Sequence, residues 1–290
     1  MTSVAITGYA SLDYVVRLDR TPVADTTATI LSRPLDWPRL GGSPAYVASA
    51  MVAAGVDATP ISWVADDADG RLYREALASR GVGARGIALR PGRTPICVLA
   101  YQPDGGCHCF YHPALAEPPD LDAHQLELVA RARWVCLTVG PAEATRQALA
   151  ATRPDAELIW SVKADPRAVP ADLAAAIFAR ADIVAASRSE AAFVAAAVAA
   201  AVPSRKSRLI LETRGPEGVA LTRDGRVDVF PVDPVEPEDA TGAGDTFLGG
   251  FLASLIGGNE ALATAVAAGA RAARQLLVAR ELASCSSRSI

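Results

Sequence analysis

Lysine is nearly missing from this chain. Only Lys163 and Lys206 occur in 290 residues, and neither sits in a GxxxxGK[ST] phosphate-binding loop. A dinucleotide-type GxGxxG is also missing after the first apolar run, where the sequence reads ITGYASLD. No basic block stands out, and the formal net charge is −4, so electrostatics give nucleic-acid binding no support. The longest apolar run, Ala191 to Val202, falls well short of the roughly 18 to 20 residues needed to cross a bilayer. No basic n-region followed by an apolar stretch opens the sequence. The five cysteines are odd in number and irregularly spaced. Cys107-His108-Cys109 has no second ligand pair at zinc-finger spacing and reads as ordinary cysteine. From these absences we expect a reduced, cytoplasmic protein with no membrane and no nucleic-acid partner.

What is present is globular: 51% hydrophobic and 21% charged residues, with 22 glycines and 20 prolines. Short apolar runs alternate with longer amphipathic or alanine-rich stretches. The expected strands are Val4–Tyr9, Thr59–Val64, Trp134–Val139, Leu158–Val162, Asp182–Ala186 and Leu209–Thr213. The expected helices are Ala45–Ala54, Gly70–Ser79, Ala142–Thr152, Ala171–Ala179, Glu190–Ala200, Gly242–Leu255 and Glu260–Val278. Such alternation predicts an α/β fold, a mostly parallel sheet flanked by helices on both faces. Parallel strands buried on both faces read as continuous apolar runs, as WVCLTV does. Two stretches break the rhythm. Tyr14 to Leu40 is proline-rich, and Gly92 to Pro113 reads as a β-hairpin around a Pro-Asp-Gly-Gly turn. They predict a small β-lid, residues 14–40 and 92–113, over a core of residues 1–13, 41–91 and 114–290.

The segment Asp239-Ala240-Thr241-Gly242-Ala243-Gly244-Asp245-Thr246-Phe247 carries the chemistry. Phe247, Phe251 and Leu255 follow at helical spacing, so the glycine turn opens a helix. Glycine frees the backbone to aim N–H groups at one point and lets a ligand approach closely. The first helical turn adds unpaired donors and the positive end of the dipole, which together make a phosphate cradle. Asp245 would repel a phosphate that was merely bound. A carboxylate there makes sense as the base that takes a proton from a hydroxyl attacking the phosphorus.

DATGAGDTF resembles the C-terminal signature of the ribokinase-like (PfkB) family of carbohydrate and nucleoside kinases. The N-terminal signature is matched by Gly41-Gly42-Ser43-Pro44-Ala45-Tyr46-Val47-Ala48, then Gly55, then Val64-Ala65-Asp66-Asp67-Ala68-Asp69-Gly70. The resemblance spans roughly Val4 to Leu277 and implies the ribokinase-like fold with its β-lid. It implies an ATP- and Mg²⁺-dependent kinase that phosphorylates a hydroxymethyl group of a sugar or nucleoside. Asp245 is then the general base, and the backbone of Gly242, Ala243 and Gly244 is the anion hole. Asp13, Gly41, Gly42 and Tyr46 belong to the acceptor site. Thr213, Gly215, Gly218 and Lys163 belong to the nucleotide site. Glu190 acts on Mg²⁺ through water, and Asp239 marks a place for a monovalent cation, K⁺. The lid is expected to have exposed edges along Ile96–Gln102 and Cys109–His112, and lids of related kinases often dimerise, which implies a homodimer through the lid.

The chain departs from the family pattern at three places. Tyr46 stands where an asparagine is usual, exchanging a two-way amide for a ring and one hydroxyl. The NxxE motif reads Ser187-Arg188-Ser189-Glu190. Lys163 occupies a usual aspartate position, where it either neutralises nucleotide phosphates or pairs with Asp165. Tyr46 in this place, with a ring that can stack on a flat or hydrophobic ligand face, favours a nucleoside or substituted sugar as acceptor. The rival reading is a catalytically silent sugar or nucleotide sensor of the same fold, which would have no need to retain Asp245.

Overall fold

The computed structural model of the protein describes residues 3–202, 208–235, 237, 239–258 and 261–286. The first half of the chain runs β1 Val4–Thr7, β2 Ser11–Leu18, β3 Ile30–Ser32, β4 Arg39–Gly41, α1 Ser43–Ala53, β5 Ala58–Ala65, α2 Ala68–Ala78, β6 Ile87–Arg90, β7 Ile96–Tyr101, β8 Cys107–His112 and α3 Ala123–Arg131. The second half runs β9 Trp134–Leu137, α4 Ala142–Ala151, β10 Glu157–Ser161, α5 Ala171–Arg180, β11 Ile183–Ser187, α6 Ala191–Ala200, β12 Leu209–Thr213, β13 Val219–Arg223, β14 Arg226–Phe230, α7 Ala243–Ile256 and α8 Leu262–Ser286. Among the described residues no helix is long and apolar enough to cross a membrane.

Nine strands form the large sheet in the order β14-β13-β12-β11-β10-β9-β1-β5-β6. The strands from β12 across to β6 pair in parallel, and β13 and β14 add an antiparallel edge. Helices cover both faces, and the alternation of strand side chains divides the core accordingly. Val4 and Ile6 of β1, with Cys136 of β9, join Val47, Met51, Leu77, Phe251 and Val266 from α1, α2, α7 and α8. Ala5, Val135 and Leu137 face the other way, onto Val129, Ala148, Ile177 and Val194 from α3 to α6. Every residue of β5 is buried, as a strand covered on both faces requires.

The second sheet has the order β3-β2-β7-β8, with β4 added along β2. It is built from the two stretches that broke the sequence rhythm, and its first strand begins at Ser11, so Asp13 lies inside it. Ile96–Gln102 was expected to be an exposed edge, and the structure corrects this. β7 pairs with β2 on one side and β8 on the other, so the edges are β3 and β8. Across the β7–β8 hairpin the Sγ atoms of Cys97 and Cys109 lie 3.2 Å apart as free thiols. Among the described residues no cluster of metal-ligating side chains forms, there or elsewhere.

Candidate active site

The parallel strands end together, and a cavity of about 290 Å³ opens at their carboxyl ends. Ligands of open α/β sheets bind in such a position. Ser161 to Lys163 after β10, Ala185 to Ser187 of β11 and Thr213 of β12 form one side. Gly242, Gly244, Asp245 and Phe247 at the start of α7 form the other, with Ser43 from α1 and Glu190 completing it.

Gly242 caps α7 in the left-handed conformation, φ +70°, which lets the chain turn sharply into the helix. The N–H of Ala243 is spent on the carbonyl of Ala240 at 3.1 Å. The N–H groups of Gly242 and Gly244 take no backbone partner among the described residues. Of the three residues expected to form an anion hole, Ala243 therefore has its N–H engaged elsewhere. Asp245 is half-buried on the cavity wall one residue further on. Burial pushes its carboxyl up to about 6, with Glu190 adding to the rise while the Ser43 hydroxyl and Lys163 oppose it. A base with a pKa near the operating pH is well placed for proton transfer.

Glu190 is held by its own turn, its Oε2 accepting 2.8 Å hydrogen bonds from the N–H and the hydroxyl of Ser187. Mg²⁺ keeps several waters and usually takes only one or two protein carboxylates besides substrate phosphates. Glu190, lining the cavity, fits that sparse requirement. Arg188 donates to both carboxylate oxygens of Glu217 at 2.6 and 2.8 Å, tying the Ser187–Glu190 turn to the loop after β12. Thr213, the last residue of β12, lines the cavity, whereas Gly215 and Gly218 in that loop do not. Gly218 is glycine for a local reason, since a Cβ would lie 2.2 Å from the Phe230 carbonyl oxygen. Lys163 lines the cavity, and Asp165 instead accepts from the backbone N–H of Arg167 at 2.9 Å, which favours the phosphate-neutralising reading of Lys163.

The expected acceptor residues form a neighbouring cluster. Asp13 is 4% exposed. Its Oδ1 accepts from the Ser11 hydroxyl at 2.6 Å, and a Cβ on Gly41 would collide with its carboxylate. Burial pushes the Asp13 carboxyl up to about 6 against the Ser11 hydroxyl, Arg39 and Arg280. Gly42 has φ +85°, and a Cβ there would lie 2.2 Å from the Tyr9 carbonyl oxygen, so this glycine serves the chain crossing itself. Tyr46 is 4% exposed and packs its ring against Gly242. It offers no open face for stacking on a ligand, contrary to the expectation for an acceptor platform.

Sequence reasoning missed two arginines here. Arg39 of β4 pairs with Asp239 and, at 2.9 Å, with Asp36. Arg280 of α8 donates to the carbonyl of Thr241 and lies 3.7 Å from the Asp239 carboxylate. Burial alone would raise the Asp239 carboxyl, but Arg280, the bonds from Thr241 and Arg39 outweigh it and hold it below its ordinary value. The carboxylate expected to attract K⁺ is therefore already engaged by two guanidinium groups, and this donor set does not fit a further monovalent cation. Tyr101 of β7 meets the Thr241 hydroxyl at 2.9 Å, so the second sheet touches the glycine turn directly.

The description "pfkB family carbohydrate kinase" matches residues 1–288. An ATP-dependent ribose-1-phosphate kinase from Halopiger xanaduensis is 30% identical over 260 residues, covering 88% of this chain and 86% of that protein. A fructokinase from Klebsiella pneumoniae is 30% identical over 234 residues, covering 74% of this chain and 76% of that protein. The crystal structure of a Methanocaldococcus jannaschii nucleoside kinase, an archaeal member of the ribokinase family, superposes with a TM-score of 0.79 at 18% identity, covering 96% of this chain and 92% of that one.

Proposed function

The chain belongs to the pfkB carbohydrate kinase family, and from that membership we propose that it moves the γ-phosphoryl group of ATP onto a hydroxymethyl group of a sugar or nucleoside, with Asp245 as general base. The fold is ribokinase-like and the protein is a kinase of this class. One observation carries the finer reading. Asp245, with its pKa raised to about 6, lines the same cavity as the glycine turn and faces Lys163 across it.

In the proposed step the acceptor hydroxyl forms a bond to the γ-phosphorus while the bond from phosphorus to the β,γ-bridging oxygen breaks. The hydroxyl proton goes to Asp245, and ADP leaves with the bridging electrons. The N–H groups of Gly242 and Gly244 receive charge on the transferred oxygens, and Lys163 faces the nucleotide phosphates. Thr213 and the loop carrying Gly215 and Gly218 hold the nucleotide. Mg²⁺, held on the phosphates and through water by Glu190, would supply charge neutralisation there. Asp13 binds acceptor hydroxyls from the second sheet, which acts as the lid and excludes water as it closes. We assign the protein to the cytoplasm and to a homodimer joined through the lid. Exposed Ile30, Leu31 and Phe110 on the two edge strands support the dimer.

The test is ADP formation from ATP and Mg²⁺ with ribose, fructose, ribose 1-phosphate, cytidine and adenosine. The proposal expects one acceptor class to raise ADP formation at least about a hundredfold over water alone. No stimulation by any sugar or nucleoside would favour the silent sensor.

A further inference from the structure

The turn that presents Gly242 and Gly244 to the cavity has a second side. Its carbonyl groups point away from the phosphoryl position, toward α8, and Arg280 meets them there. Arg280 Nη1 donates to the carbonyl oxygen of Thr241 at 2.5 Å and reaches that of Asp239 at 3.5 Å. The same guanidinium lies 3.7 Å from the Asp239 carboxylate, and its Nη2 donates to the Tyr46 hydroxyl at 3.1 Å. The Tyr46 ring closes the arrangement, since it packs on Gly242 and has the guanidinium carbon 5.7 Å from its centroid. Arg39 donates to Oδ2 of Asp239, the same oxygen that Arg280 approaches, while Oδ1 accepts from the Thr241 N–H at 2.9 Å. Both charged partners are well covered, with side chains 14% exposed for Arg280 and Asp239 alike.

We propose that Arg280 is a positioning residue, a cation built into the fold behind the phosphoryl-binding turn, and that phosphoryl transfer by this protein requires no monovalent metal ion. The inference rests on the kinase reading given above. Two carbonyl oxygens and one carboxylate converging beside a glycine turn demand positive charge, and a guanidinium fixed in α8 supplies it. A metal ion at the same oxygens would face two arginines of like charge. The Thr241 carbonyl and the Gly242 N–H belong to one peptide plane. A hydrogen bond accepted by that carbonyl fixes the plane and polarises the N–H on its far side, which faces the transferred group. In this proposal Arg280 acts on the anion hole through the backbone. The 39 to 41 residues between Arg280 and its carbonyl partners, and Tyr46 on a third element, make this a tertiary device.

The experiment compares chloride salts of K⁺, Na⁺ and choline at matched ionic strength. For the wild type, the steady-state rate and the melting temperature with ADP bound should be the same in all three salts, the rate within about twofold. The melting measurement needs no turnover, so it reads the cation question even if no acceptor is found. Arg280→Ala should lower kcat by about 10 to 100-fold with acceptor KM changed less than about threefold, the pattern of an interaction made in the transition state. K⁺ or low millimolar guanidinium chloride should restore part of that loss, and Arg280→Lys should retain more activity than Arg280→Ala. Activation or thermal stabilisation of the wild type specifically by K⁺ would overturn the proposal. So would a folded Arg280→Ala protein with unchanged kcat. If Arg280→Ala does not fold, the wild-type salt comparison decides alone.

Discussion

At Gly244 a Cβ would meet nothing within 4 Å, whereas at Gly242 it would run into the Tyr46 ring at 2.7 Å. The fold therefore requires Gly242 and has no steric need of Gly244, a residue that costs a helix up to about 1 kcal/mol relative to alanine. Gly244→Ala should keep or raise the melting temperature while cutting kcat/KM for ATP by about tenfold or more, because the methyl enters the space of the phosphoryl group. Gly242→Ala should instead lower the melting temperature, through both its positive φ and the Tyr46 contact. Thermal melts and kinetics on the two variants separate these cases. Asp245 gives a second expectation. With its pKa raised to about 6, Asp245 as the proposed base is ionised above that pH, so kcat/KM should fall about tenfold per pH unit below it. Ionising this carboxylate costs the folded state free energy. Asp245→Asn should therefore stabilise the protein at pH 7.5, by at most about 3 kcal/mol, with the gain fading toward pH 4. A variant that melts lower than wild type at pH 7.5 would contradict the burial argument.

Elements differ in how openly the sequence announced them. The core strands were readable because burial on both faces makes them continuous apolar runs, and Leu209–Thr213 was bounded correctly to the residue. α3 was overlooked although Asp122 and Gln125 form a capping box before it, because its AHQLELVAR face is half polar. β2 was hidden in a stretch judged by its prolines, and β13 and β14 form an antiparallel edge of mixed exposure that lacks the apolar signature. The glycine turn was legible because its chemistry is local: glycines, an acid and a helix start within nine residues. Arg39 and Arg280 were not, since Arg39 meets Asp239 across 200 residues of sequence and Arg280 meets Tyr46 across 234. The covering of the Tyr46 ring is hidden from the sequence for the same reason. Its place on α1 was clear, but only the packing of α1 against α7 shows that its ring is covered. Close packing of α7 is itself written in glycine: a Cβ on Gly249 would lie 2.6 Å from the Val47 carbonyl oxygen of α1, and one on Gly269 of α8 would lie 2.7 Å from that of Phe247. Gly249→Val should therefore prise α7 from α1 and lower both stability and kcat, measured together by melting and steady-state turnover.

For the molecule as a whole, the large sheet gathers the cavity at its strand ends and the second sheet stands over the neighbouring acid cluster. The exposed edges of that second sheet carry Ile30, Leu31 and Phe110 at 56%, 64% and 60% exposure. A homodimer through these strands should appear as twice the chain mass in light scattering at micromolar protein, and Leu31→Lys with Phe110→Lys should yield monomers. A monomeric wild type would remove the lid interface. The kinase account itself stands on Asp245, and its most direct test is Asp245→Asn assayed for ADP formation, with ADP affinity measured on the same sample. The account predicts a loss in kcat of about 10² to 10⁴ with ADP affinity preserved within about threefold. Near-normal turnover by the folded variant would contradict it.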